Sequence, residues 1–237
     1  MENILAARLN FKSNLSSFLF LSSFLLFVAF ITYQAMLIPY YYRLFFLASF
    51  NALHLSSFLF LDAFSWLLFL ITPMIIAKSL WQIPIARFGL HLPTNKFRAL
   101  ALTLIAFLLI VPITFSLSHF TQIKQYYGAS HIPLYYFLFT QLVFFPLYYL
   151  AEEFFFRGFL FLTLFEKIGW HSYWVSDLFF TLAHAGKPPI EILLSIPVSV
   201  MLNFLTLKTK SIFSSWVIHL TIGALLFTLI NWNAISY

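Results

Sequence analysis

The feature that most constrains this chain is a succession of apolar runs, most of them about as long as a bilayer is thick. They fall at about 16–38, 56–77, 98–117, 134–166, 173–186, 190–207 and 211–231. About 20 helical residues cross roughly 30 Å of hydrocarbon at a rise of 1.5 Å per residue. In lipid every backbone N–H and C=O must find its partner within the protein, so runs of this kind form helices. The expected fold is all-α, a polytopic transmembrane helix bundle of about seven spans, between six and eight. Composition leads to the same class, because 62% of the 237 residues are hydrophobic and only 8% are charged, against about 25% charged in a soluble domain. With 33 Phe, 12 Tyr and 6 Trp, lipid must act as solvent for much of the side-chain surface.

Three details refine the span model. Arg8 and Lys12 precede the first run like the n-region of a signal peptide, but the run is longer than an h-region of about 7–15 residues and no small-x-small site follows, so it reads as an anchor. The fourth run is too long for one simple crossing. It is either a tilted helix that leaves the membrane or a crossing joined to a second, partly embedded helix. The fifth is cut short by Gly186, Pro188 and Pro189.

Basic residues give the orientation. With the N-terminus cytoplasmic, Arg8, Lys12, Lys78, Arg87, Lys96, Arg98, Lys167, Lys208 and Lys210 lie inside, and Arg43, Lys124 and Lys187 lie outside. Nine against three favours N-inside and C-outside. The plasma (inner) membrane is the expected location, the lipid bilayer the expected surroundings, and residues 79–97 are expected at the interface as a short amphipathic element. The net charge of +6 reflects this topology and anionic lipid rather than a nucleic-acid partner. The absence of Cys excludes disulfide frameworks, thiolate zinc sites, Cys nucleophiles and S-lipidation of the chain. There is no internal repeat, so residues 1–237 read as one membrane-embedded domain.

Ionisable residues at membrane depth cost at least a few kcal/mol unless they are paired or line a wet cavity, so the few present are the first functional candidates. The densest group is Glu152-Glu153-Phe-Phe-Phe-Arg157. Glu153 and Arg157, four apart on a helix, share a face and can pair. Glu152 is rotated by about 100° and has no local cation. Desolvation of such a carboxylate favours proton exchange near neutral pH. His184 stands near the end of the fifth run and His219 in the middle of the last. The structural alternative is a polar knot of Glu152, Glu153 and Arg157 that ties helices together, with each His hydrogen-bonded to a neighbour. Yet a deep carboxylate and two His on three helices also contain what hydrolysis needs. Asp62 and Asp177 read as structural pairs, Asp177 being two turns, about 10 Å, from His184. His54, His91, His119, His131 and His171 fall in loops, and Tyr40, Tyr41, Tyr42, Tyr126, Tyr127, Trp170 and Trp174 fit interfacial belts.

Glu152-Glu153-Phe-Phe-Phe-Arg157, Phe180-Thr-Leu-Ala-His184 and His219, in this order, resemble the CPBP (Abi) family of intramembrane proteases. Its motifs read E-E-x-x-x-R, F-x-x-x-H and H-x-x-x-N or D, and its eukaryotic relatives trim prenylated CAAX proteins. The resemblance covers roughly residues 146–223, within a motif-bearing core of about 134–231. The third motif departs from the pattern, with Gly223 where the family has Asn or Asp.

The resemblance implies an intramembrane endopeptidase that hydrolyses a peptide bond of a membrane-associated protein or peptide. In it Glu152 is the general base that activates a water and His184 holds or protonates it. Glu153 pairs with Arg157 to fix the helix. His219 stabilises the oxyanion, and with no side chain at Gly223 the job would fall to His219 alone, to a backbone N–H, or to a nearby polar group such as Asn203 or Thr221. No cofactor is required in this scheme; zinc held by the carboxylate and the two His is the alternative. Two other readings of the chain stand beside it: a non-catalytic membrane scaffold of the same fold, and a proton-coupled transporter, against which no paired broken helices occur.

Overall fold

The computed structural model describes residues 14–37 and 55–236. Its long elements are helices, as the lipid argument requires. They are α1 (Asn14–Met36), α2 (Leu55–Ser65, continued by Trp66–Ile71 and Thr72–Ser79), α3 (Lys96–Leu117) and α4 (Thr121–Tyr127). Then come α5 (Leu134–Ile168), α6 (His171–Ala183), α7 (Pro189–Thr209) and α8 (Phe213–Asn231). The sheet among the described residues is one parallel pair, β1 (Ile132–Pro133) against β2 (Ile235–Ser236), with Ile132 opposite Ile235.

Six of these helices are long and apolar enough to cross a membrane. The fifth expected span, α6, has 13 residues and rises only about 20 Å. The fourth is one uninterrupted helix of 35 residues, about 50 Å long.

Local sequence sets where these helices start, widen and stop. Asn95 caps α3, its Oδ1 accepting the Arg98 N–H at 2.9 Å. Gly169, with φ +58°, ends α5 in a conformation that a Cβ would disfavour. Two π-helical stretches, Trp66–Ile71 in α2 and Thr140–Phe144 in α5, each lie just before a proline, Pro73 and Pro146. A proline inside a helix has no N–H and its ring crowds the preceding turn; widening that turn relieves the crowding. The third π stretch, Phe154–Leu162, contains no proline and carries Arg157 and Gly158.

The core is aromatic. Phe24, Phe69, Phe154, Phe155, Phe156 and Phe159 are fully or almost fully buried where α1, α2 and α5 meet. Their rings pack at centroid separations such as 5.1 Å for the stacked pair Phe24–Phe159 and for the tilted pair Phe69–Phe155. By contrast Leu100, Leu104 and Leu108, on one face of α3, are all exposed, as a lipid-facing stripe should be.

Loop contacts sort the two ends of the bundle. At one end Arg87 pairs with Glu166 at 3.6 Å, the Ile212 N–H donates to the Gly89 carbonyl and Ser211 Oγ to the His91 carbonyl. The segments around residues 85–91, 166 and 211–212 therefore share one side. At the other end the Tyr127 hydroxyl donates to Glu191, the Ala129 N–H to Asn231 Oδ1, and β1 pairs with β2. Hence α6 runs from the Glu166 end toward Lys187 despite its shortness. Within the segment 79–97, expected at the interface, lies a 3-10 turn, Ile85–Phe88, docked on α5 with Phe88 fully buried against Phe154 and Phe159. Arg8, Lys12, Tyr40, Tyr41, Tyr42, Arg43 and His54 lie outside the described residues.

Candidate active site

The middle of α5 presents Tyr148, Tyr149, Glu152, Glu153 and Arg157, and its sequence spacing dictates two faces. Glu153 and Arg157 are completely buried, with Arg157 Nε 3.4 Å from Glu153 Oε2. The guanidinium makes no hydrogen bond within the described structure. It is held by that ion pair and by the Phe180 ring, whose centroid lies 4.0 Å from Arg157 Cζ. The other Glu153 oxygen accepts a hydrogen bond from His219 Nδ1 at 2.7 Å. Glu153 thus joins α5 to α8 as well as to its own helix, a contact that the i,i+4 spacing alone does not reveal.

Glu152 faces a different neighbour. Its Oε1 accepts the Tyr148 hydroxyl at 2.8 Å, and its Oε2 lies 3.8 Å from His219 Nε2. That separation is too long for a direct hydrogen bond and short enough for one water to touch both atoms. Whereas the sequence reading leaves Glu152 without a local partner, the structure gives it a neutral phenol one helical turn earlier. His219, with Nδ1 turned to Glu153, presents Nε2 to Glu152.

His184 sits just past the end of α6. Its Nδ1 contacts the Phe180 carbonyl at 2.8 Å, and since a carbonyl only accepts, Nδ1 carries the proton and Nε2 has a free lone pair. Phe180 lies between the two His, its ring 4.6 Å from that of His184 and 5.6 Å from that of His219. Within the described structure no hydrogen bond links His184 to Glu152. The two imidazoles instead share a cavity of ≈ 280 Å³, lined also by Tyr148, Tyr149, Lys187, Glu191 and Gly223.

The polar wall of this cavity was not singled out from the sequence. Tyr127 donates to both Glu191 oxygens at 2.8 and 2.9 Å, and Lys187 Nζ pairs with Glu191 at 2.9 Å. Burial works against the Lys187 ammonium, but the Glu191 carboxylate and the tyrosines around it hold its pKa above that of an ordinary lysine. Burial likewise pushes the Tyr127 phenol up. The signal available in the sequence was the i,i+4 spacing of Lys187 and Glu191 across the start of α7.

The remaining polar residues are engaged elsewhere. Asp177 accepts from Asn203 Nδ2 at 3.0 Å, and Ser176 donates to Asn203 Oδ1 at 3.3 Å, so Asn203 ties α6 to α7. Thr221 donates to the Val217 carbonyl of its own helix. Asp62 is buried, and its Oδ1 has no partner within the described structure. As for zinc, no three His, Asp or Glu side chains among the described residues come together at metal-holding distance.

Two of the comparisons with known proteins are empty: no curated protein and no solved structure matches the chain significantly. A family model does match, over residues 133–225, and its description is type II CAAX prenyl endopeptidase Rce1-like. The matched segment holds every motif residue from Glu152 to Gly223 and runs from the start of α5 into α8. Over residues 133–225, this chain is therefore similar to the Rce1-like family of type II CAAX prenyl endopeptidases.

Proposed function

We propose that the chain is an intramembrane endopeptidase that cleaves a prenylated or otherwise membrane-associated protein near its end, using a water activated by Glu152. The observation that carries this reading is the unequal treatment of two adjacent glutamates. Glu153 is neutralised by Arg157 and bonded to His219, while Glu152 keeps a neutral partner and one oxygen turned toward His219. A carboxylate that is not consumed by an ion pair keeps an oxygen free to accept a proton from water.

In the proposed reaction the water oxygen bonds to the scissile carbonyl carbon, the C=O π pair moves onto oxygen, and Glu152 accepts the proton. Collapse re-forms C=O and breaks the C–N bond, and the leaving nitrogen receives that proton, from Glu152 directly or by way of the His184 Nε2 lone pair. His219, as an imidazolium whose Nδ1–H is held by Glu153, can stabilise the oxyanion by donating from Nε2–H. Glu153 and Arg157 hold the helix and the His219 ring in position. The cavity supplies what a bilayer lacks, room for water beside an apolar wall for substrate. We further propose the plasma membrane as the location, and a cytoplasmic N-terminus on the excess of basic residues at the Glu166 end of the bundle.

The test is an internally quenched peptide ending in a farnesylated Cys-a-a-X sequence, incubated with the purified full chain and with Glu152→Gln. Cleavage by the first and none by the second, at equal yield, is the expected result. A Glu152→Gln variant that cleaves as well as the parent would remove Glu152 from the mechanism. If neither cleaves that peptide or any protein of a membrane extract, the scaffold reading replaces the protease. Turnover should also survive dialysis against EDTA; loss of activity restored by zinc would replace the metal-free scheme.

A further inference from the structure

We propose that the Tyr149 hydroxyl is the second hydrogen-bond donor to the oxyanion, a role that rests on the protease reading above. Gly223 follows His219 by one helical turn on the same face of α8, so a donor at that position would stand beside the imidazole. The space there is already filled from another helix. A Cβ built on Gly223 would overlap the hydroxyl and ring of Tyr149. A glycine inside a helix is less favourable than an alanine, and here it admits a phenol.

Three further observations fix what that phenol can do. Its ring packs on the His219 ring with centroids 4.4 Å apart and 40° between planes. It lines the same cavity as His184, His219 and Gly223. No hydrogen bond to a described residue occupies its hydroxyl, in contrast to the adjacent Tyr148, which is committed to Glu152. The two residues that could otherwise serve are engaged, Asn203 with Asp177 and Thr221 with its own helix. A phenol O–H at this place donates to the oxygen that gains charge when water adds to the carbonyl, and keeps its proton when the intermediate collapses. The helix that carries the base then also carries an oxyanion donor.

Tyr149→Phe removes the donor and leaves the ring. With the farnesylated peptide, its kcat should fall by about 10²–10³-fold, as for loss of one oxyanion donor, with KM and melting temperature unchanged. A kcat within about threefold of the parent overturns the proposal, while the Glu152→Gln control shows separately whether the protease reading holds. If the melting temperature falls with kcat, the decision passes to Tyr149→Ala alone and combined with Gly223→Asn. Turnover recovered by at least about tenfold in the double variant, where the donor has moved to α8, supports the proposal; no recovery overturns it.

Discussion

At the scale of the residue, Arg157 makes the strongest claim on stability. It is a completely buried cation whose compensation comes from Glu153 and the Phe180 face. Arg157→Leu leaves the buried Glu153 carboxyl without its guanidinium partner, which should cost about 3–5 kcal/mol. The loss should be read as lower yield and melting temperature in detergent, beyond any effect on turnover. Glu153→Gln strands Arg157 in the same way and loosens His219, so both stability and activity should fall. A variant with both intact would end the division of labour between the two glutamates. That division was half legible in the sequence. The Glu153–Arg157 pairing follows from a spacing of four, but the Glu153–His219 bond joins residues 66 apart, and no local pattern encodes it.

At the scale of the element, two contacts place the helices that carry the site. Gly158 lies against the Phe88 carbonyl, where an added Cβ would collide with backbone. Gly158→Ala should push the 85–88 turn off α5 and cost about 1–3 kcal/mol, by analogy with other overpacked sites. Thermal unfolding followed by tryptophan fluorescence checks this, since Trp81 packs on Phe24 and Phe159 nearby. Across α6 and α7, Asn203→Leu leaves the buried Asp177 carboxyl without its amide and should cost about 1.5–3 kcal/mol. Because α6 delivers His184, that variant should also slow turnover. The composition of these helices was legible, but the widening of α5 before Pro146 was not, because a proline states that the ladder must break without stating how.

At the scale of the whole molecule, the chain has no Cys, so single cysteines can report topology without background. With the N-terminus cytoplasmic, Leu92→Cys should resist a membrane-impermeant maleimide in intact cells and Gln122→Cys should react. The reverse pattern would invert the proposed orientation and place the Tyr127–Lys187 end of the cavity in the cytoplasm. Either result keeps residues 89–91 beside 211–212, since those hydrogen bonds fix the segments relative to each other.

The sequence by itself determined that this chain is a bundle of membrane helices and which of its polar residues are exceptional. Lipid leaves the backbone no partner outside its own helix, so apolar length translates directly into helices, and every buried charge stands out against that background. Only the tertiary structure decided which helices meet. It gave Glu152 a tyrosine, placed His219 between two carboxylates, kept α6 shorter than a crossing, and set the Tyr149 phenol over Gly223. Those outcomes depend on complementary side-chain shapes between helices far apart in the chain, and hydrophobic pattern, which is nearly the same on every helix here, carries no information about them.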